Sequence, residues 1–223
     1  MKKLFLFAAV MFSSISFSSC SEDGNKESQT SQKLLKQIEE ISADKTIYYD
    51  FSYDDQQRLA EVSIHGGYIH GDVDFTYTYT DDRISVKYNS SSGSYYDAAF
   101  ILDHNGYVSK KQDNNSVTTP YFWTYRWENG NLMEQRNSYS NSTTYTYTDK
   151  PNKLNINLFD AQFGLGNFGI FAYVVFLPTN FKGSIPSNYP ASADNSNIYY
   201  EYDDEGYPTQ IVGPNANYIL TYY

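Results

Sequence analysis

Pairs of aromatic or apolar residues two positions apart recur along the chain, each followed by a polar turn. Phe51-Ser52-Tyr53-Asp54 leads to Arg58-Leu59, Tyr77-Thr78-Tyr79-Thr80 to Arg83-Ile84, and Phe100-Ile101-Leu102-Asp103 to Gly106-Tyr107-Val108. Tyr125-Arg126-Trp127-Glu128 leads to Gly130-Asn131-Leu132, Tyr145-Thr146-Tyr147-Thr148 to Leu154, and Tyr200-Glu201-Tyr202-Asp203 to Gly206-Tyr207-Pro208. The second anchors stand at 53, 79, 102, 127, 147 and 202, at intervals of 26, 23, 25, 20 and 55 residues. Residues i and i+2 of a strand point to the same face, so each pair marks one buried face. The polar stretch behind it often begins with Asp and carries Gly or Asn later. Asp bonds the turn backbone, and Gly or Asn supplies a left-handed residue. Each unit therefore predicts a β-hairpin with a loop of about three to five residues. A lone hairpin is marginal in water, whereas stacked hairpins share a sheet. The expected fold is all-β: a single antiparallel meander, either a twisted open sheet or a half-barrel. The composition agrees, with 24 tyrosines, 14 phenylalanines and two tryptophans, because aromatic residues suit a pleated, half-buried surface.

The long interval between 147 and 202 reads as an insertion at about 155–197. It holds the run FGLGNFGIFAYVVFLP at 163–178, the most hydrophobic part of the chain beyond its N-terminus. At about 15 residues with three glycines the run is too short for a transmembrane helix, which needs roughly 20 residues. It is expected to pack over one face of the curved sheet, partly helical at 170–177 and with Phe176 buried. Pro186, Pro190 and the Ser/Asn-rich stretch 184–197 are expected to form a surface loop returning to the last hairpin.

The N-terminus carries an address. Met1-Lys2-Lys3 and the apolar residues 4–17 form a signal-peptide n-region and h-region, so 1–19 reads as a lipoprotein signal peptide. Phe17-Ser18-Ser19-Cys20 resembles a bacterial lipobox, although Phe17 stands where Leu is usual and Ser19 where Gly or Ala is usual. Cys20 is the only cysteine, so it makes no internal disulfide. Lipidation there makes the membrane a partner through the N-terminal lipid. Ser21, Glu22 and Asp23 resemble the surface-export signal of Bacteroidetes outer-membrane lipoproteins. Residues 20–32 read as an acylated, solvated tether, and 33–223 as one domain. Cleavage removes Lys2 and Lys3 and takes the net charge from −10 to −12. That charge argues against a nucleic-acid partner, which needs a basic patch.

The unit "Y-x-Y-D-x-x-G-x-L", clearest at 200–208 and 51–59, resembles the YD-repeat of Rhs-type shells. Over roughly 34–223 the chain is similar to a family of Bacteroidetes surface lipoproteins built on a domain of unknown function. In that family a lipobox and an acidic tether precede a few YD-like hairpins. The resemblance implies an antiparallel fold and a surface location, and it carries over no catalytic residue. It also bears on residues 33–41. Leu34, Leu35, Ile38 and Ile41 have the spacing of a short amphipathic helix, while the resemblance suggests a first strand pairing with 46–53.

Motifs that commit to chemistry are missing. Gly-x-Ser-x-Gly, P-loop and His-Glu-x-x-His signatures do not occur. His65 and His70, near Asp72 and Asp74, are the densest group of ligand types, but Gly66, Gly67 and Gly71 make a plain hairpin loop of it. No metal and no cofactor is expected. The pairs Asp54-Asp55, Asp81-Asp82 and Asp203-Asp204 stand at turns and read as turn chemistry. The expectation is a non-catalytic surface binding module for glycan or protein. The alternatives are an accessory structural subunit of an outer-membrane complex and, after it, a hydrolase. Oligomeric state is not assigned. Among contact candidates, Trp123 and Trp127 share a face with Tyr121 and Tyr125. If that face is core, contacts come from Tyr95, Tyr96 and Tyr139 instead.

Overall fold

The structure is a computed structural model describing residues 32–43, 45–66, 71–93, 95–113, 122–154, 156–157, 177–178, 186–194, 196–213 and 216–223. Cys20, Ser21, Glu22, Asp23, His70, Tyr121 and residues 163–176 of the apolar run, Phe176 among them, lie outside the described residues, as do the signal peptide and nearly all of the tether. Residues 32–223 form one compact unit.

Among the described residues, every regular element is a strand. In chain order they are β1 (Leu35–Ile41), β2 (Thr46–Tyr53), β3 (Leu59–His65), β4 (Val73–Tyr79), β5 (Arg83–Ser90), β6 (Tyr95–Leu102), β7 (Val108–Asp113), β8 (Phe122–Glu128) and β9 (Asn131–Asn137). There follow β10 (Ser142–Pro151), β11 (Ile156–Asn157), β12 (Leu177–Pro178), β13 (Asn188–Ala193), β14 (Ser196–Asn197), β15 (Tyr199–Tyr202), β16 (Pro208–Val212) and β17 (Asn217–Tyr222). Fifteen of them form a single antiparallel sheet in the order β14-β13-β10-β9-β8-β7-β6-β5-β4-β3-β2-β1-β17-β16-β15, and β11 and β12 pair separately. The sheet curls into a nearly closed barrel with one unsealed seam, between β13 and β15.

Strand alternation sorts the side chains. Ile47, Tyr49 and Phe51 of β2, Val62 and Ile64 of β3, Phe75 and Tyr77 of β4, and Ile84, Val86 and Tyr88 of β5 are buried in one core. The intervening residues, among them Ser52, Asp74, Thr78, Lys87 and Asn89, are exposed. Period-two burial is what an antiparallel sheet with one solvated face requires.

The hairpin turns follow one design. In 54–58, 103–107 and 203–207 the leading Asp accepts two backbone N–H groups on one carboxylate oxygen. Asp54 takes those of Gln56 and Arg58, Asp103 those of Asn105 and Tyr107, and Asp203 those of Glu205 and Tyr207, all at 2.8–3.0 Å. Asn137 does the same for Tyr139 and Asn141. The fourth residue of each turn is left-handed: Gln57 (φ 59°), Gly106 (83°), Gly206 (82°) and Ser140 (68°). The Asp81-Asp82 pair sits differently. It lies in a tighter turn closed by the Thr80 N–H on the Arg83 carbonyl, and Asp82 accepts the Thr80 hydroxyl.

The repeated tyrosines have a second job. The Tyr53 hydroxyl donates to the Leu35 carbonyl, Tyr79 to Leu59, Tyr147 to Leu132 and Tyr222 to Pro208, and the Trp127 indole donates to Val108. Tyr53, Tyr79 and Tyr222 end their strands, Trp127 is one residue from the end of β8 and Tyr147 lies within β10, and each acceptor stands at or beside the start of the preceding, neighbouring strand. The ring fills the core rim and the polar tip satisfies a strand-end carbonyl, a pairing of roles that Tyr and Trp fit and Phe does not. Burial pushes the Tyr79, Tyr147 and Tyr222 hydroxyls well above the ordinary phenol range, so they remain donors.

Of the two readings left open at 33–41 the strand holds, paired with β2, and one expectation, the loop at 184–197, is revised. A register shift between Leu35 and Gln37 inserts one residue, so Leu35 and Ile38 both reach the core although they are three apart. The stretch expected as a loop at 184–197 supplies β13 and β14. Pro190 stands opposite Tyr147 of β10 beside a register shift, the kind of irregularity at which a strand proline is tolerated.

Candidate functional site

The sequence candidates do not converge. Tyr125 is buried, and Trp123 and Trp127 are half-buried and packed on the core. The tryptophan face is thus the core face. Tyr139 is exposed in the turn after β9. Tyr95 and Tyr96 open β6 opposite Asn89 and Tyr88.

The inner face changes character across the sheet. Among the described residues, its buried polar or charged side chains are Lys111, Gln135 and Asn137. Lys111 is opposite Trp123, Trp123 opposite Asn137, and Tyr125 opposite Gln135. Asn137 is accounted for by its turn, while Lys111 and Gln135 give β7 and β9 a polar interior that β1–β5 lack.

The outer face of β1–β4 carries the best-organised accessible group. Register aligns Asp74, Ser63, Asp50 and Gln37 in one row across four strands. A second row runs His65, Tyr48, Glu39 and Ile219. The two rows are bonded together. Asp50 accepts the Gln37 amide on one oxygen and His65 Nε2 on the other, both at 2.7 Å. A carboxylate only accepts, so Nε2 carries the proton and Nδ1 faces away from Asp50. The Ser63 hydroxyl donates to Asp74 at 2.7 Å. The His65 and Tyr48 rings stack with centroids 5.3 Å apart and planes 22° from parallel. Gly66 closes this corner: at φ 91° a Cβ would stand 2.9 Å from the Thr46 carbonyl oxygen and 3.0 Å from the Tyr48 ring. Both partners of the Asp50–His65 pair remain nearly half exposed, at 43% and 45% of the side chain.

Ser63, His65 and Asp50 are near one another, but they are not wired as a nucleophile and base. The Ser63 hydroxyl points to Asp74, whereas a relay needs it on the imidazole. No group of three or more metal-ligating side chains that could hold an ion occurs among the described residues. What the patch offers is a fixed array of carboxylate, amide, imidazole and hydroxyl groups beside an aromatic pair, with negative charge from Glu39, Asp50, Glu61 and Asp74.

The sequence showed His65 and Asp74 only as parts of a glycine-rich loop. Gln37, Tyr48, Asp50 and Ser63 gave no local signal, because register across four strands brings them together.

No protein-family model matches the chain, and no curated protein sequence does. Among solved structures, the chain is similar to a porin-like protein from Bacteroides uniformis, with a TM-score of 0.54 at 14% identity over 85% of this chain and 98% of that one. A porin-like protein from Bacteroides vulgatus aligns over 86% of this chain and 99% of that one, with a TM-score of 0.39 at 12% identity. The first likeness shows a shared fold. Among the described residues, the outward wall carries exposed charges. A transmembrane barrel is apolar outside, and here the outward residues include Lys36, Asp74, Lys87, Arg126 and Arg136, all exposed.

Proposed function

We propose that this chain is an outer-membrane lipoprotein, anchored by lipid on Cys20 and displayed at the cell surface, whose barrel is a non-catalytic binding module for a glycan. The observation that carries the reading is the outer-face patch of Gln37, Tyr48, Asp50, Ser63, His65 and Asp74. Planar polar side chains held by mutual hydrogen bonds beside an aromatic ring suit a hydroxyl-rich ligand, and preorganisation lowers the entropic cost of binding it. The acidic surroundings favour a neutral or amino sugar over a sulfated or uronic one.

The geometry supports access. The described chain enters the barrel at Lys33, whose ammonium pairs with Asp203 at 2.8 Å and Glu205 at 3.1 Å. Residues 203–207 and 54–58 turn at the same end of the sheet, and His65 and Gly66 lie at the other end of β3. Within the patch, Gln37 stands four residues beyond Lys33, and the His65–Gly66 corner lies farther from the point of tether entry. The barrel likeness to a Bacteroides porin-like protein and the lipobox-like Cys20 support an outer-membrane setting. Exposed charges on the wall support the lipid, rather than the barrel, as the membrane-binding part.

Binding of the whole chain to a panel of neutral, amino and acidic glycans tests the reading. Saturable binding is expected, lost at least tenfold in Tyr48→Ala and His65→Ala, as roughly 1.4 kcal/mol or more per contact would give. Tyr139→Ala is expected to bind normally. Absence of binding across the panel, binding indifferent to both patch variants, or turnover of any glycan would sink it. Stoichiometric recovery within an outer-membrane complex, without glycan binding, would favour an accessory subunit.

A further inference from the structure

The seam is closed by side chains where the rest of the barrel is closed by backbone ladders. Among the described residues, backbone pairing across it stops at Ile198, whose N–H donates to the Ala191 carbonyl at 2.9 Å. Beyond that point β13 and β15 part. The gap is filled by Tyr189, fully buried, whose ring centroid is 5.3 Å from that of Tyr200 and 5.5 Å from that of Tyr202. The Tyr200 hydroxyl crosses to the Pro190 carbonyl at 2.6 Å.

The two ends of the seam differ. At one, β13 and β14 form a continuous hairpin, with Ser192 opposite Asn197 and Ala193 opposite Ser196. At the other, contacts between side chains and turn backbone hold residues 203–207. The Tyr189 hydroxyl accepts the Lys153 N–H at 3.0 Å and donates to the Gly206 carbonyl at 3.4 Å. The Lys153 ammonium donates to the Glu205 carbonyl. Lys33 holds the same turn through Asp203 and Glu205.

We propose that this seam is a built-in opening line of the barrel. The β15–β16 hairpin swings away from β13 about Ile198, where β14, still paired with β13, passes into β15, and the Tyr189–Lys153–Gly206 contacts act as the latch. Opening breaks no ladder: β15 stays paired with β16, and β13 with β10. It exposes Tyr189, Tyr200 and the inner faces of β10 and β13, beside the polar interior of β7 and β9. A barrel interior otherwise sealed by continuous hydrogen bonding gains a lateral entrance.

Hydroxyl-radical footprinting of the whole chain, read residue by residue by mass spectrometry, tests this. Tyr189 and Tyr88 are both inner-face tyrosines, 0% and 2% exposed, but only Tyr189 lines the seam. Under extended exposure Tyr189 should be oxidised severalfold faster than Tyr88. Lys153→Met should raise the rate at Tyr189 and Tyr200 and leave Tyr88 unchanged. Lys153 is exposed, so the variant keeps its fold, and Lys33→Met, at a half-buried position outside the core, should act in the same direction. Equal oxidation of Tyr189 and Tyr88 in the parent chain would overturn the proposal. So would a Lys153→Met effect spread equally over both sites, which would mean global loosening.

Discussion

The hydroxyl of Tyr222 donates to the backbone carbonyl of Pro208 at 2.7 Å. Tyr222 closes β17, and Pro208 opens the neighbouring β16. The same link recurs at Tyr53, Tyr79, Trp127 and Tyr147, and it explains why tyrosine occupies these rim positions. Tyr222→Phe keeps the ring and removes the donor, and should cost about 1 kcal/mol. For a domain of this size that is a fall in melting temperature of roughly 2–4 °C. Tyr139→Phe, whose parent ring is 68% exposed, should melt unchanged. Thermal unfolding of the pair decides it: equal melting would make the Tyr222 bond energetically silent.

Backbone conformation at the fourth turn position makes opposite predictions for two turns of one design. Gly206 has φ 82° and Gln57 has φ 59°. A Cβ on Gly206 would meet nothing nearer than the Lys153 ammonium at 3.6 Å, so the cost of Gly206→Ala is conformational, about 1 kcal/mol. Gln57→Gly relieves a left-handed non-glycine residue and should stabilise by a few tenths to about 1 kcal/mol. Urea denaturation of both variants measures the two signs; a shift in the same direction for both would refute the turn argument.

Acid should loosen the 203–207 turn. The Lys33 ammonium, with the Tyr207 and Glu205 N–H groups, holds the Asp203 carboxyl below its ordinary range against a smaller opposing effect of burial. A carboxyl with a lowered folded pKa binds fewer protons folded than unfolded. Its contribution is present above the unfolded value near 3.8 and is lost as pH falls through the folded one. Asp203→Asn should therefore weaken the chain at neutral pH and flatten its stability profile below about pH 4. Parallel profiles for parent and variant across that range would show that Asp203 has no linked proton.

The strands were legible because the anchors at 53, 79, 102, 127, 147 and 202 and the Asp-led turns encode local geometry, and local geometry is what a hairpin requires. Leu35 and Ile38 left helix and strand undecided for a physical reason: a bulged strand and a helix both place residues three apart on one face. Residues 184–197 misled because Pro190 signals a loop by itself and becomes compatible with a strand only at an irregularity such as the register shift in the β10–β13 pairing. The patch was illegible for a different reason. Asp50 meets His65 and Gln37 through register across three strands, and no spacing along the chain records that.

The polarity of the wall separates two ways of residing at an outer membrane. If the barrel spanned the bilayer, Lys87 on β5 and Arg126 on β8 would face lipid, each costing about 2–4 kcal/mol near the midplane. Arg136 and Glu134, paired at 2.8 Å on the same outer face, would add to that cost. If lipid on Cys20 is the anchor, the barrel needs no apolar belt, and removing the acyl chains should release an intact water-soluble protein. The whole chain with Cys20→Ala is therefore expected to move from the detergent phase to the aqueous phase in Triton X-114 partitioning, with an unchanged β-type circular dichroism spectrum. It should also lose incorporation of a fatty-acid probe that labels the parent. A Cys20→Ala protein that stays folded and still enters the detergent phase would show that the barrel wall itself meets the membrane. Equal fatty-acid labelling of parent and variant would remove Cys20 as the anchor.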